Sequence, residues 1–331
     1  MSYAPVPAPA PDRLNFGLDG RAVVYYGTML RDRRGTAVRS GRAVNLFASA
    51  AFATGIMGGS AVQDILDGKQ QGTPLERSVA LQAKQGSALI RLVRPDGTAA
   101  YATGTLATPR TIVTCAHIFR PFAKTGEELR RMLKQGTRNG LSPVSVFFSA
   151  TPQAEAETNP EIEDAVVDVV LHPEYIEGRE HMVSHTLHDI ALLLLADPAR
   201  PGYRPFRFAH AQPMQSQKVL VVGYGTGDGA GKGFEALLRM AEVSGLVWET
   251  PFGSVFKFRQ PLAKIDSGDS GGAVLNGEGA VIAINAAVDR TGSTGYATLI
   301  AENRQFLERA LEEFETGEAN VFQAIGETGA K

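Results

Sequence analysis

The sequence predicts an all-β protein, a barrel or sandwich of short strands with one C-terminal helix, preceded by an N-terminal extension. Three observations carry this. From about Arg77 onward, short apolar or alternating runs are separated by Gly, Pro and Asp, the pattern of brief strands joined by turns. The chain of 331 residues holds 36 Gly and 18 Pro, enough punctuation for many tight connections. Helical periodicity is confined mainly to Gly126 to Gln135 and Ile300 to Phe314; in the second, Ile300, Phe306, Leu307, Ala310 and Leu311 form one apolar stripe under a charged face, as in a terminal helix docked on a barrel.

Taken in order, residues 1–76 form the extension. Its first part, APVPAPAP, is a proline-rich arm that cannot donate to a sheet. An arginine-rich stretch, Arg31 to Arg42, precedes Ala43 to Ser60, a run of small and apolar residues without charge. This basic-then-apolar order matches a secretory signal if translation starts at Met29, and export to a periplasm or medium is then expected. The competing reading is a buried or amphipathic helix. The run is too rich in Ala and Gly for a stable membrane span. The body follows at 77–311, with strands expected at Ala88 to Val93, Ala100 to Ala107, Thr111 to Thr114, Val144 to Phe148, Ala165 to Leu171, Ile190 to Leu195, Val219 to Tyr224, Val255 to Phe258, Gly272 to Leu275, Val281 to Ala286 and Gly295 to Leu299. Residues 312–331 read as a polar tail.

Composition removes several function classes. The 33 Lys and Arg nearly cancel the 35 Asp and Glu, so no global field favours nucleic acid or an anionic membrane. A single cysteine, Cys115, excludes an intramolecular disulfide framework, leaving packing and backbone hydrogen bonds to hold the fold. Lying in an apolar run two residues before His117, Cys115 reads as a buried structural thiol.

Gly268-Asp269-Ser270-Gly271-Gly272 is the strongest local signal. A serine nucleophile needs backbone N–H groups converging on an oxyanion, here those of Gly268 and Ser270, and glycines permit the turn that aims them. The pentapeptide also fits the Gly-x-Ser-x-Gly elbow of α/β-hydrolases, but there the histidine follows the serine, whereas the last histidine here is His210. A histidine ends the apolar strand Thr111 to Ala116, and His117 would be general base to Ser270. Asp189 opens the run Ile190 to Leu195, where a buried carboxylate can orient an imidazole. His181, His185 and His188 are close in sequence but lack a helix signature or cysteine partners, so no metal site is expected.

In this order, the segments Thr114-Cys115-Ala116-His117, Asp189-Ile190-Ala191-Leu192 and Gly268 to Gly272 resemble the trypsin-like, chymotrypsin-fold serine proteases. Val170-Leu171-His172-Pro173, Gly223-Tyr224-Gly225 and Gly295-Tyr296 are similar to secondary landmarks of that family. The resemblance covers about Ala88 to Leu311 and implies two six-stranded antiparallel β-barrels, about 77–198 and 199–311, with His117, Asp189 and Ser270 as a catalytic triad in the cleft. It implies a serine endopeptidase acting on proteins or peptides without metal or organic cofactor. The alternatives are a catalytically silent binding module and an esterase using the same triad.

The departures also bear on function. Disulfides are absent, as in bacterial-type members, and no activation sequence is visible; Arg77-Ser78-Val79-Ala80 is a poor substitute. In relatives activated by cleavage, the aspartate at the Asp269 position pairs with the new N-terminus, so Asp269 is expected to pair with an internal cation or backbone amides instead. Counting back from Ser270 without gaps puts Lys264 at the position that forms the pocket floor in that family, which implies an acidic side chain before the scissile bond. A gap of one or two residues puts Ile265 or Asp266 there instead. The resemblance gives Asn285, Ala286 and Ala287 as the pocket wall and Gly295 opposite.

Overall fold

The computed structural model describes residues 27–31, 37–41, 60–69, 74–93, 97–123, 125–135, 142–149, 163–175, 187–209, 212–225, 236–248, 254–259, 268–288 and 294–327. The chain divides into two compact units, Met1–Ala50 and Ala51–Lys331. In the first, β1 (Gly27–Arg31) and β2 (Ala37–Gly41) form an antiparallel pair in which Gly27 faces Gly41 and Arg31 faces Ala37. Of the signal-like run Ala43 to Ser60, all but Ser60 lies outside the described residues, as does the proline-rich arm.

The second unit opens with β3 (Ser60–Ala61), α1 (Val62–Leu66) and α2 (Pro74–Gly86). Pro at the first helical position suits α2, since its missing N–H would have no intrahelical partner there. Val79, Ala80 and Ala83 make its buried stripe. The helix begins ahead of Arg77, where the body was expected to start, and Val62 and Ile65 of α1 share the same core.

Next come β4 (Ser87–Val93), β5 (Ala99–Thr108), β6 (Thr111–Thr114), α3 (Gly126–Gln135), β7 (Val144–Phe147), β8 (Glu163–Leu171) and β9 (Ala191–Leu195). The strands close into an antiparallel barrel in the order β4-β5-β6-β9-β8-β7. The remaining elements are β10 (Lys218–Gly223), β11 (Leu237–Trp248), β12 (Ser254–Arg259), β13 (Ala273–Leu275), β14 (Val281–Val288), β15 (Thr294–Leu299) and α4 (Arg304–Glu327). The order β10-β13-β14-β15-β12-β11, closed by pairing of β10 with β11, makes a second six-stranded barrel, and β3 adds to β11 through Leu237 and Leu238. The protein is thus an all-β molecule of two six-stranded antiparallel barrels with a C-terminal helix.

Strand periodicity explains the packing. On β10, Val219 and Val221 join a cluster with Ala241, Val243, Val274 and Phe258, drawn only from the second barrel's strands and so filling its interior. Leu220 and Val222, on the opposite face, join the larger cluster that includes Leu238, Leu275 and the first barrel's core, as the two-residue repeat of a strand requires. Helix α4 buries Phe306, Leu307, Ala310 and Phe314. It continues to Glu327, through the segment read as a polar tail. Among the described residues no helix is long and apolar enough to cross a membrane.

Strand β11 is the barrel strand absent from the sequence expectation, which also lacks β1 to β3, α1 and α2. Arg239, Glu242 and Ser244 interrupt its apolar pattern, and a register shift between Val243 and Gly245, where Gly245 has φ of 149°, breaks the alternation. Such a bulge displaces side chains from the two-residue repeat.

Candidate active site

His117 stands on a single 3-10 turn, His117–Phe119, that follows β6. Phe119 is fully buried and Phe119 N–H donates to Ala116 O at 3.1 Å, which fixes the turn against the first barrel. Asp189 comes from the loop before β9 and is 3% exposed. Two contacts hold this loop, one from β15 and one from the turn before α4: Thr298 Oγ1 donates to Asp189 O at 3.2 Å, and Asn303 Nδ2 donates to Leu187 O at 3.1 Å. The carboxylate in turn grips His117 twice. His117 N–H donates to Asp189 Oδ1 at 2.8 Å, and His117 Nδ1 lies 2.6 Å from Asp189 Oδ2.

Ser270 belongs to the turn before β13, and its Oγ lies 3.0 Å from His117 Nε2. With Nδ1–H directed to the carboxylate, Nε2 presents its lone pair to the serine hydroxyl. The structure therefore joins Asp189, His117 and Ser270 in one hydrogen-bonded line across the two barrels. Burial, the largest single influence, pulls the His117 pKa down; the charge of Asp189 and its hydrogen bond together outweigh it, against a smaller opposition from Arg120, and leave the imidazole above its ordinary 6.5.

The Gly268-to-Gly272 turn is bound to its surroundings on several sides. Gly268 has φ of 100° and Gly271 φ of 89°, left-handed values that favour glycine. A Cβ on Gly271 would lie 2.0 Å from Thr103 O. Thr103 and Thr105 of the first barrel donate through their hydroxyls to Gly268 O at 2.7 Å and Gly271 O at 3.1 Å. The Asp269 side chain points inward. Its Oδ1 accepts Gly225 N–H at 2.7 Å and Arg239 Nη1 at 2.8 Å, with the ion pair fully buried. Gly223 and Gly225 make room for it, since a Cβ at either would come within 2.4 Å of the carboxylate. The Gly-Tyr-Gly landmark is thus a cradle for Asp269. The cation expected for Asp269 exists, and sequence reasoning gave no hint that it is Arg239; the only signal was an arginine set in an apolar run.

The proposed pocket fares differently. Lys264 lies outside the described residues, as do His181 and His185. Asn285, expected in the wall, turns toward the Gly268-to-Gly272 turn: its Nδ2 donates to Asp269 O at 3.0 Å and its carbonyl accepts Gly271 N–H at 2.8 Å. Its side chain is used in holding the turn. Ala287 is partly exposed beyond the register shift that separates it from Asn285. The space beside Gly295 is filled by Phe258, whose ring would lie 2.3 Å from an added Cβ, so Gly295 serves core packing.

Ligand-type atoms of Cys115, His117 and Asp189 lie within 4.8 Å of one another. The thiol is buried and donates to Asn285 O at 3.0 Å. Burial, then the charge of Asp189, push its pKa well above the ordinary value. A protonated thiol engaged in this way is a poor metal donor. His188 is spent elsewhere, with Nδ1 3.0 Å from Asn303 Oδ1 and Nε2 3.1 Å from Glu174 Oε2.

Two closed six-stranded barrels, with His and Asp on the first and Ser on the second, define the chymotrypsin-like class of fold. A family model described as trypsin-like peptidase domain matches residues 102–284. The chain belongs to the trypsin-like peptidase domain family. It is similar in structure to an inactivated protease paralogue of the scabies mite, with TM-score 0.53 and 16% identity over 70% of this chain and 96% of that one. It is also similar to neuropsin, a serine protease expressed in mouse brain, with TM-score 0.50 and 18% identity over 70% and 96% of the two chains. No curated protein matches the sequence.

Proposed function

We propose that the protein is a serine endopeptidase, with Ser270 as nucleophile, His117 as general base and acid, and Asp189 as the orienting carboxylate. The observation that carries this reading is the continuous line of contacts from Asp189 Oδ2 through His117 to Ser270 Oγ, at 2.6 and 3.0 Å. Ser270 Oγ attacks the scissile carbonyl carbon while His117 Nε2 takes its proton. Asp189, holding Nδ1–H, stabilises the imidazolium that forms. The Gly268 and Ser270 N–H groups receive the oxyanion of the tetrahedral intermediate. His117 then protonates the leaving amine, and water activated by the same imidazole releases the acyl group from Ser270.

Treating the purified protein and its Ser270→Ala variant with a fluorophosphonate, followed by peptide-library cleavage, tests this reading. Covalent labelling of the native protein alone, together with cleavage of internal peptide bonds, is the expected result. Labelling without peptide cleavage would favour an esterase, and no labelling would leave a silent binding module.

A further inference from the structure

We infer that Thr103, a residue of the first barrel, is a positioning residue for the oxyanion-binding turn of the second, an inference that rests on the serine-hydrolase reading above. Thr103 lies on β5 and is fully buried. It makes four polar contacts. Its Oγ1 donates to Gly268 O at 2.7 Å and accepts Tyr224 N–H at 2.9 Å. Its backbone N–H donates to Ser270 O at 2.8 Å, and its carbonyl accepts Thr114 Oγ1 at 2.8 Å.

The geometry gives these contacts a specific effect. Gly268 O belongs to the peptide plane between Gly268 and Asp269, and Ser270 O to the plane between Ser270 and Gly271. Thr103 holds both. The intervening plane carries the Ser270 N–H, one of the two proposed oxyanion donors, and its own carbonyl, Asp269 O, accepts Gly272 N–H at 3.1 Å and Asn285 Nδ2 at 3.0 Å, so with Thr103 on both flanks three successive planes of the turn are held. Glycine at 268 and 271 would otherwise leave this turn free to move. Tyr224 anchors the clamp from the far side: it is fully buried and its single hydroxyl hydrogen is shared between Ser87 O and Ser149 O in the first barrel. A valine would match the shape of Thr103 and retain both backbone bonds. The hydroxyl adds only the bonds to Gly268 O and Tyr224 N, and the first reaches the turn directly.

The test uses the full chain with Thr103→Val, Thr103→Ala and Thr103→Ser, and reads the second-order rate of fluorophosphonate labelling. Each variant is compared well below its melting temperature. Thr103→Val and Thr103→Ala are expected to label at least tenfold more slowly, toward the ~100-fold loss that a misplacement of about 1 Å brings. Thr103→Ser should stay near the native rate, and the acid-side midpoint of the pH profile should not move, because His117 is untouched. Ile282→Val, a buried change inside the second barrel, supplies a stability control and should label at the native rate.

Native-rate labelling by Thr103→Val, or by Thr103→Ala if the valine variant does not fold, would overturn the inference. So would a Thr103→Ser rate as low as that of the alanine variant. Absence of labelling in the native protein would instead remove the serine-hydrolase reading itself, which distinguishes the two failures.

Discussion

Arg239 Nη1 lies 2.8 Å from Asp269 Oδ1 in a fully buried pair, so a cation from within the chain holds the carboxylate beside Ser270. Where relatives need cleavage to supply a cation, this chain carries its own. The unprocessed polypeptide should therefore be labelled by a fluorophosphonate, with intact mass confirming that no peptide bond was cut. Labelling only after proteolysis would contradict this. Arg239→Met leaves a buried carboxylate without its counter-ion and should lower stability by about 3–5 kcal/mol. Denaturant unfolding measures the loss, and adding Asp269→Asn should recover part of it.

The raised pKa of His117 sets an expected pH profile. Only the neutral imidazole accepts a proton, so the labelling rate should rise with pH through a midpoint above 6.5. In Asp189→Asn, burial and Arg120 still act while the raising influence is gone, so the midpoint should fall below that of the native protein. The rate should drop roughly 10⁴-fold, the scale of the same change in Ser-His-Asp triads. The sign for stability is opposite to that for rate. A folded pKa above the unfolded one makes the His117 contribution complete below the unfolded pKa and removes it as pH rises through the folded value.

His172 works in the other direction. Burial first, then the neighbouring charges of His188 and Arg309, hold its pKa at about 4. It stacks on His188 at 4.4 Å and packs against Phe306. The unfolded chain binds the proton more readily between its ordinary value and about 4, so this contribution to stability weakens as pH falls through that window. His172→Phe should flatten the acid side of the stability profile, read from denaturant midpoints at several pH values.

Gly271→Ala tests the close approach of the two barrels. Its Cβ would meet Thr103 O at 2.0 Å and Thr114 Oγ1 at 2.1 Å, at a backbone φ of 89°. The barrels would have to separate locally, so labelling should be lost and thermal unfolding should begin earlier.

Much of this was legible because the relevant information is local. The apolar runs that became β4 to β10 and β12 to β15 each carry their own alternation or turn signals. The three polar segments at His117, Asp189 and Ser270 stand at strand ends, where short-range pattern is informative. Strand β11 was hidden because Arg239 breaks its pattern, and Arg239 is buried only because Asp269 waits for it in another segment. Thr103 looked like any threonine in a strand, since Gly268, Ser270 and Tyr224 reach it from two distant stretches of chain. The role of Asn285 in holding the turn is hidden for the same reason. Its sequence position suggested a pocket wall, while its amide is drawn to Asp269 O.

The position of β15 has a consequence in time. It is the last strand among the described residues, yet it sits between β14 and β12 in the second barrel. During synthesis, β12 and β14 each lack a neighbour until Thr294 to Leu299 leave the ribosome, although Ser270 has already been made. Domains complete themselves as units once their strands are available. The growing polypeptide thus holds its histidine and aspartate early, its serine late, and the barrel that aims the serine last of all.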